Sequence, residues 1–238
     1  MKFLEFWCLL VFITSIIRSE KGVAGAGDFR YLTGYVGLNQ TGAHYQFTEY
    51  MPDLSVVQMD NSIQSACGVG IWLLYDEVNY DPITNETECT VRPIGECGNW
   101  SPQCQNMVSS LRYAGSPYGL NDNYYNLYEG TYFRGREFRG NTNAADLGDL
   151  DMAVSSLIVT GQSGWTFYTD VNLTGSNVCV YADEHHTNGD IDHDFARVQG
   201  MEKLGLPDNS IRSVARGCLS EYVLGHPGGE RRSHDASN

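Results

Sequence analysis

Two halves of this chain repeat each other, and the repeat is written in short strands. Trp72 opens the stretch WLLYDEVNY and Trp165 opens WTFYTDVNL, so that Trp72 matches Trp165, Tyr75 matches Tyr168, and Val78-Asn79 matches Val171-Asn172. A second echo relates YVGLNQTG (35–42) to YTDVNLTG (168–175) and puts Asn39 and Asn172 at equivalent turns. Self-similarity on this scale marks duplication of a supersecondary unit. The unit is a β one: HYQFTEY (44–50), IWLLY (71–75), WTFY (165–168) and NVCVYA (177–182) are short apolar or alternating runs punctuated by turn residues. Many short strands of this kind build a sandwich or barrel. Residues 116–126 (SPYGLNDNYYN) have linker composition and divide the chain almost evenly, predicting domains over 28–115 and 127–220.

The first residues read as a secretory signal, residues 1–19. Lys2 gives a short positive start and Phe6 to Ile17 is an apolar run of signal length, with cleavage after Ser19 or Ala26. Nothing later approaches the roughly 20 apolar residues of a spanning helix, so no membrane span is expected. Removing Lys2, Glu5 and Arg18 takes the formal charge from −14 to −15. So acidic a surface argues against nucleic acid or an anionic membrane as partner, and suits a cation or a basic protein face. Of seven cysteines, Cys8 lies in the signal; Cys67, Cys89, Cys97, Cys104, Cys179 and Cys218 remain, an even number that predicts disulfides. Cys179 and Cys218 are the second half's own pair. The first half allows three connectivities, and the short loop ECGNWSPQC favours Cys97–Cys104 with Cys67–Cys89. Sequons at Asn39, Asn85, Asn99 and Asn172 are candidate glycosylation sites in that compartment. The Gly- and charge-rich end, 221–238, is expected to be disordered.

Four copies of one spacing carry a resemblance. An aromatic, four residues, a second aromatic, one residue and a glycine appear in full at Tyr128, Phe133 and Gly135. Tyr168, Leu173 and Gly175 keep the spacing with a leucine; Tyr35, Gln40 and Gly42 keep the first aromatic and the glycine; Tyr75, Tyr80 and Pro82 keep both aromatics. Each copy is followed by a loop ending in serine: DNSIQS (60–65), QNMVSS (105–110), DMAVSS (151–156) and DNSIRS (208–213). The pattern resembles the Greek-key motifs of the βγ-crystallins over residues 30 to 219. The resemblance implies an all-β chain of two Greek-key β-sandwich domains, in which the glycine permits a folded-over hairpin, the aromatics pack across the bend, and the closing serine ties the loop to the sheet.

The same resemblance implies calcium as a ligand, at modest affinity. Calcium takes six to eight oxygens, and in the family two loops of one domain share them crosswise. Asp60 and the Ser62 carbonyl would meet Ser109, and Asp208 and the Ser210 carbonyl would meet Ser155. The reciprocal positions are poorer: Gln105 faces Gln64, and Asp151 faces Arg212, a fixed cation in place of the ion.

Two further constellations carry weaker signals. Residues 182–195 (ADEHHTNGDIDHDF) gather His185, His186 and His193 with acidic residues in a pattern able to ligate a transition metal. Its aspartates resemble the opening of an EF-hand loop, but Phe195 and Met201 replace the required glycine and glutamate, and a long solvated loop is the expectation. Arg134, Arg136 and Arg139 form a basic cluster, expected to be a solvated strand edge. No nucleophile elbow, HExxH or phosphate loop is present in the sequence, and no enzyme is expected. The sequence predicts a secreted, non-enzymatic structural or calcium-binding protein. The alternative is a secreted binding effector acting on a protein partner through 182–195; the sequence does not give the oligomeric state.

Overall fold

The structure is a computed structural model and describes residues 30–81, 91–188 and 191–226. The expected signal segment, Asn85, Cys89 and residues 227–238 lie outside the described residues. In the first half the strands are β1 (Tyr31–Tyr35), β2 (His44–Phe47), β3 (Ser65–Tyr75), β4 (Val91–Ile94), β5 (Cys97–Asn99) and β6 (Ser110–Ala114). The second half contains β7 (Tyr124–Gly130), β8 (Arg134–Gly140), β9 (Ser156–Thr160), β10 (Trp165–Asp170) and β11 (Thr174–Val180). It continues with β12 (Glu184–Asn188), β13 (Ile191–Val198), β14 (Ser213–Arg216) and β15 (Val223–Leu224).

Each half is a pair of interlocked Greek keys. β3 serves two sheets: Ser65 to Val69 pair with β1 while Gly70 to Leu73 pair with β4 and Ile71 to Tyr75 with β6. The strand changes sheet at Gly70, whose φ is +104° and whose missing Cβ would lie 2.7 Å from the Arg30 side chain. Only glycine fits there. The interlock comes from exchange of third strands. β5 crosses to pair with the first part of β3, and Met51 crosses the other way to bridge Leu111 of β6. The second half repeats the exchange, with β13 on β9 and Ala144 bridging Val214 of β14.

Each half has its own core, the first around Leu32, Phe47 and Trp72, the second around Trp165, Phe167 and Val178. A third cluster joins the halves: Ile71, Leu73, Tyr75 and Ala114 against Tyr128, Phe133, Ile158 and Phe195. This explains why IWLLY is apolar without interruption. Trp72 and Leu74 face the core of the first half while their alternating neighbours face the second.

Four tyrosine–serine pairs reveal how the hairpins are closed. Across neighbouring strands Tyr35 faces Ser65, Tyr75 faces Ser110, Tyr128 faces Ser156 and Tyr168 faces Ser213. Every one of these serine hydroxyls donates to one carbonyl of its hairpin and accepts an N–H three residues further on. The bonds are Ser65 to Gly37 O (2.7 Å) and Gln40 N (3.0 Å), and Ser110 to Glu77 O (2.5 Å) and Tyr80 N (3.0 Å). Ser156 holds Gly130 O (2.6 Å) and Phe133 N (2.9 Å); Ser213 holds Asp170 O (2.6 Å) and Leu173 N (3.0 Å).

Several expectations change. Cys97 is bonded to Cys67, not Cys104, because β5 lies antiparallel on β3 with the two cysteines directly opposed, Cα atoms 4.0 Å apart. Cys104 is itself in a disulfide, and Cys179 is joined to Cys218. The described part of 182–195 is not a solvated loop: β12 pairs antiparallel with β13, which extends the sheet of β9. The order continues beyond residue 220, since β15 pairs in parallel with Cys179 and Val180 of β11. Tyr124 to Asn126, given to the linker by composition, already belong to β7. Arg139 is not a solvated edge; its guanidinium stacks on Tyr50 of the other half and donates to the Tyr50 hydroxyl.

Replacing Ser213 by alanine strands the Asp170 carbonyl and the Leu173 N–H together. Urea denaturation of Ser213→Ala is expected to show a loss of about 2 kcal/mol, with the m-value unchanged. An exposed control, Ser55→Ala in the first half, removes neither clamp bond and is expected to cost much less.

Candidate calcium loops and the hairpin of the second domain

The four serine-ended loops meet in pairs. In the first domain Asn61 N–H donates to Val108 O (3.0 Å) and Asn106 N–H to Ile63 O (2.9 Å), a reciprocal crossing of the two loops. In the second, Asn209 N–H donates to Val154 O (3.1 Å). The residue after the acidic position takes a left-handed conformation in every copy, at Asn61, Asn106, Met152 and Asn209. Asparagine tolerates it well; Met152 does not by nature, and its side chain is exposed. The crossings join the loop of Asp60 and Ser62 to the loop of Ser109, and the loop of Asp208 and Ser210 to that of Ser155.

The polar atoms are only partly committed. The Ser62 hydroxyl donates to Met59 O and leaves its own carbonyl outside that bond. Asp60 accepts from Asn61 Nδ2 at 3.3 Å and Asp208 from Asn209 Nδ2 at 3.4 Å, both long contacts. Ser155 Oγ reaches Asn209 Oδ1 at 3.1 Å, and the buried Ser210 hydroxyl has no hydrogen-bond partner. The reciprocal positions are spoken for. Arg212 grips Asp151 through two bonds of 2.8 and 2.7 Å and holds its carboxyl below the usual range. Gln105 turns back onto the Trp100 carbonyl. Among the described residues no three His, Cys, Asp or Glu side chains converge as a metal cluster, so a site in these loops relies on hydroxyl and carbonyl oxygens.

Geodin, a βγ-crystallin from Geodia cydonium, matches 79% of this chain and 99% of its own, with a TM-score of 0.51 and 15% identity. The fold is that of the βγ-crystallins. A βγ-crystallin from an archaeon matches 40% of the chain and 99% of its own at 26% identity and TM-score 0.31. Protein S complexed with calcium matches 78% and 98% at 14% identity and TM-score 0.30. No protein-family model and no curated protein matches the chain.

Three sequons lie on the described βγ-crystallin fold, all exposed: Asn39 and Asn172 at hairpin tips and Asn99 at the end of β5. Asn39 and Asn99 are not independent, since Asn99 Oδ1 accepts the Asn39 N–H (2.6 Å) and Asn99 Nδ2 donates to Asn39 Oδ1 (2.9 Å). At the other three tips a backbone carbonyl takes that place: Pro52, Gln199 and Ala145 accept from Asn79, Tyr132 and Asn172.

Sequence reasoning passed over the polar junction between the domains. Arg112 is 1% exposed and donates to Tyr75 Oη and to the carbonyls of Phe133 and Gly135, with Tyr80 and Tyr128 rings 4.7 Å from its guanidinium carbon. Beside it Glu137 accepts from Tyr50 and Asn126. Arg112, Glu137, Tyr50, Tyr80 and Gly135 border an open cleft of about 800 Å³. A lone arginine among aromatics is the only signal the sequence offered.

His193 of β13 is 4% exposed with its Nε2 unpartnered. Burial, then the nearby Arg30 charge, push it down to about 4 from 6.5. The folded pKa is depressed, so this contribution to stability is complete above about pH 6.5 and is lost as the pH falls toward 4. The loss approaches about 3 kcal/mol. His193→Phe is expected to flatten the pH dependence of the urea midpoint between pH 6.5 and 4 relative to wild type.

Proposed function

We propose that this protein is a secreted, non-enzymatic βγ-crystallin-like protein whose stability outside the cell is set by disulfides and by calcium in the paired loops. The crossing of the loops carries the reading. The expected donors lie one set per crossed loop pair: Asp60 and the Ser62 carbonyl with Ser109, then Asp208 and the Ser210 carbonyl with Ser155, would supply one acidic side chain, one loop carbonyl and one partner-loop hydroxyl in each domain. This is the donor chemistry a hard cation takes. The unpartnered Ser210 hydroxyl marks the second loop pair as a polar region whose bonding is incomplete within the chain. Calcium would add positive charge between two loops that backbone bonds already join. With one carboxylate per site the affinity is modest. Secretion is supported by the Cys67–Cys97 and Cys179–Cys218 bonds, which persist in oxidising compartments.

The test is the melting temperature of the secreted chain in EDTA and in millimolar calcium. Wild type is expected to melt several degrees higher with calcium, and Ser109→Ala/Ser155→Ala to lose that rise while melting near wild type in EDTA. An identical melt with and without calcium would remove the calcium role.

A further inference from the structure

Two of the sequons meet at one hairpin tip. Asn39 sits at the tip between β1 and β2, and Asn99 ends β5 directly across from Ser65, whose hydroxyl clamps that tip. Asn99 Oδ1 accepts the Asn39 N–H at 2.6 Å, and Asn99 Nδ2 donates to Asn39 Oδ1 at 2.9 Å. The partner fixes how the Asn99 amide is turned: a backbone N–H only donates, so the side-chain oxygen must face it. β5 is itself fastened on both sides of Asn99, by Cys67–Cys97 before it and by the Trp100 N–H to Gln64 O bond (2.9 Å) after it.

The two amides differ in what the pair consumes. Asn99 gives its oxygen and its nitrogen to one residue, so it uses the edge on which Oδ1 and one N–H lie side by side. Asn39 contributes its Oδ1 and its backbone N–H, and its Nδ2 makes no hydrogen bond among the described residues. Asn172, at the equivalent tip of the second domain, also gives only its backbone N–H, to Ala145 O (2.7 Å). At both tips the sequon threonine donates back within the turn, Thr41 to Leu38 O (2.8 Å) and Thr174 to Val171 O (2.9 Å). All three asparagines are exposed, so accessibility does not separate them.

N-glycosylation converts a primary amide into a secondary one. Nδ2 attacks the anomeric carbon of a pyrophosphate-linked oligosaccharide; the C–N bond forms as the C–O bond to pyrophosphate breaks. The pyrophosphate leaves with the electron pair, and one N–H proton passes to a base. A secondary amide prefers the trans form, in which the substituent lies on the oxygen's side and the remaining N–H points the other way. On Asn99 the sugar would therefore replace the very N–H that Asn39 Oδ1 accepts, and would stand between the two residues. On Asn39 it would replace a hydrogen that the pair does not use.

We propose that Asn39 and Asn99 make one glycosylation site and not two: Asn39 carries the glycan, and Asn99 stays an unmodified amide that holds the tip. Asn99 does at this tip what the carbonyls of Pro52, Gln199 and Ala145 do at the other three. Closure of β5 onto Ser65 withdraws the Asn99 edge from transfer, and a chain already glycosylated there closes the tip only by losing the bond to Asn39. The proposal rests on the secretion reading, because sequons are modified in that compartment.

The experiment is glycopeptide mass spectrometry of the full-length chain secreted from animal cells. Each site's occupancy is read from the mass shift left by enzymatic deglycosylation in heavy-oxygen water. Wild type is expected to be filled at Asn39 and Asn172, with occupancy at Asn99 at least about tenfold lower. Thr41→Ala destroys the first sequon and keeps the amide pair, so Asn99 should stay empty. Asn39→Gly removes the paired side chain, and glycine accepts the φ of +54° at this position, so Asn99 should become filled. Wild type filled at Asn99 or empty at Asn39 overturns the proposal, as does an Asn99 that stays empty in Asn39→Gly. Filling of Asn99 in Thr41→Ala also overturns it, since crowding between glycans would then be the cause. A chain kept inside the cell with no glycan at any sequon overturns the secretion reading as well, which sets it apart from a secreted chain with the wrong site filled.

Discussion

Everything else in the molecule depends on how four hairpins are kept folded over. Each tip places two consecutive residues at positive φ: Asn39 and Gln40, Asn79 and Tyr80, Tyr132 and Phe133, Asn172 and Leu173. For non-glycine residues that conformation costs about 1–2 kcal/mol apiece, and it turns polar backbone groups away from their own strand. One serine hydroxyl per tip, arriving from the closing strand of the same motif, satisfies a carbonyl and an N–H at once. A hydroxyl does this because it both donates and accepts from a single rotor. The same tyrosine–serine pairing fixes the strand register, so strain at the tip and order in the sheet share one cause.

The two domains meet through a different balance. Ile71, Leu73 and Tyr75 of the first and Tyr128, Ile158 and Phe195 of the second form an apolar seam, yet Arg112 lies within reach of it with its charge almost wholly removed from water. Such burial is costly for a cation. It is offset by three hydrogen bonds, two of them to carbonyls of the other domain, and by the faces of Tyr75, Tyr80 and Tyr128. The arginine therefore specifies how the domains dock as well as that they dock. Arg139, stacked on Tyr50 beside Glu137, repeats this at the rim.

Acidic side chains take three distinct roles on this surface. Asp151 is neutralised within the chain by Arg212. Asp60 and Asp208 stay exposed at loop crossings, with only long contacts to their neighbours. Asp194 is built into a scaffold of amide donors. A net charge of −14 describes none of these differences.

The sequence by itself determined the repeat, the all-β class and the four hairpins. A tyrosine, a left-handed tip and a closing serine are local features with fixed spacing, and local spacing survives whatever the rest of the chain does. The Asp151–Arg212 opposition was implied by the family resemblance, through the crosswise pairing of loops, and the structure bears it out. Tertiary structure decided what depends on strand exchange. Cys67 found Cys97 because β5 crosses into the other sheet, a contact that loop length cannot reveal. The segment 182–195 reads as a loop in the sequence because its density of charge hides the strand period, and the ladder of β12 on β13 appears only in the folded chain. Arg112 and Asp194 draw their partners from across the fold, Phe133 and Gly135 for one and Asn121 and Gln162 for the other. Long-range hydrogen bonds of this kind have no sequence period, so only the folded chain displays them.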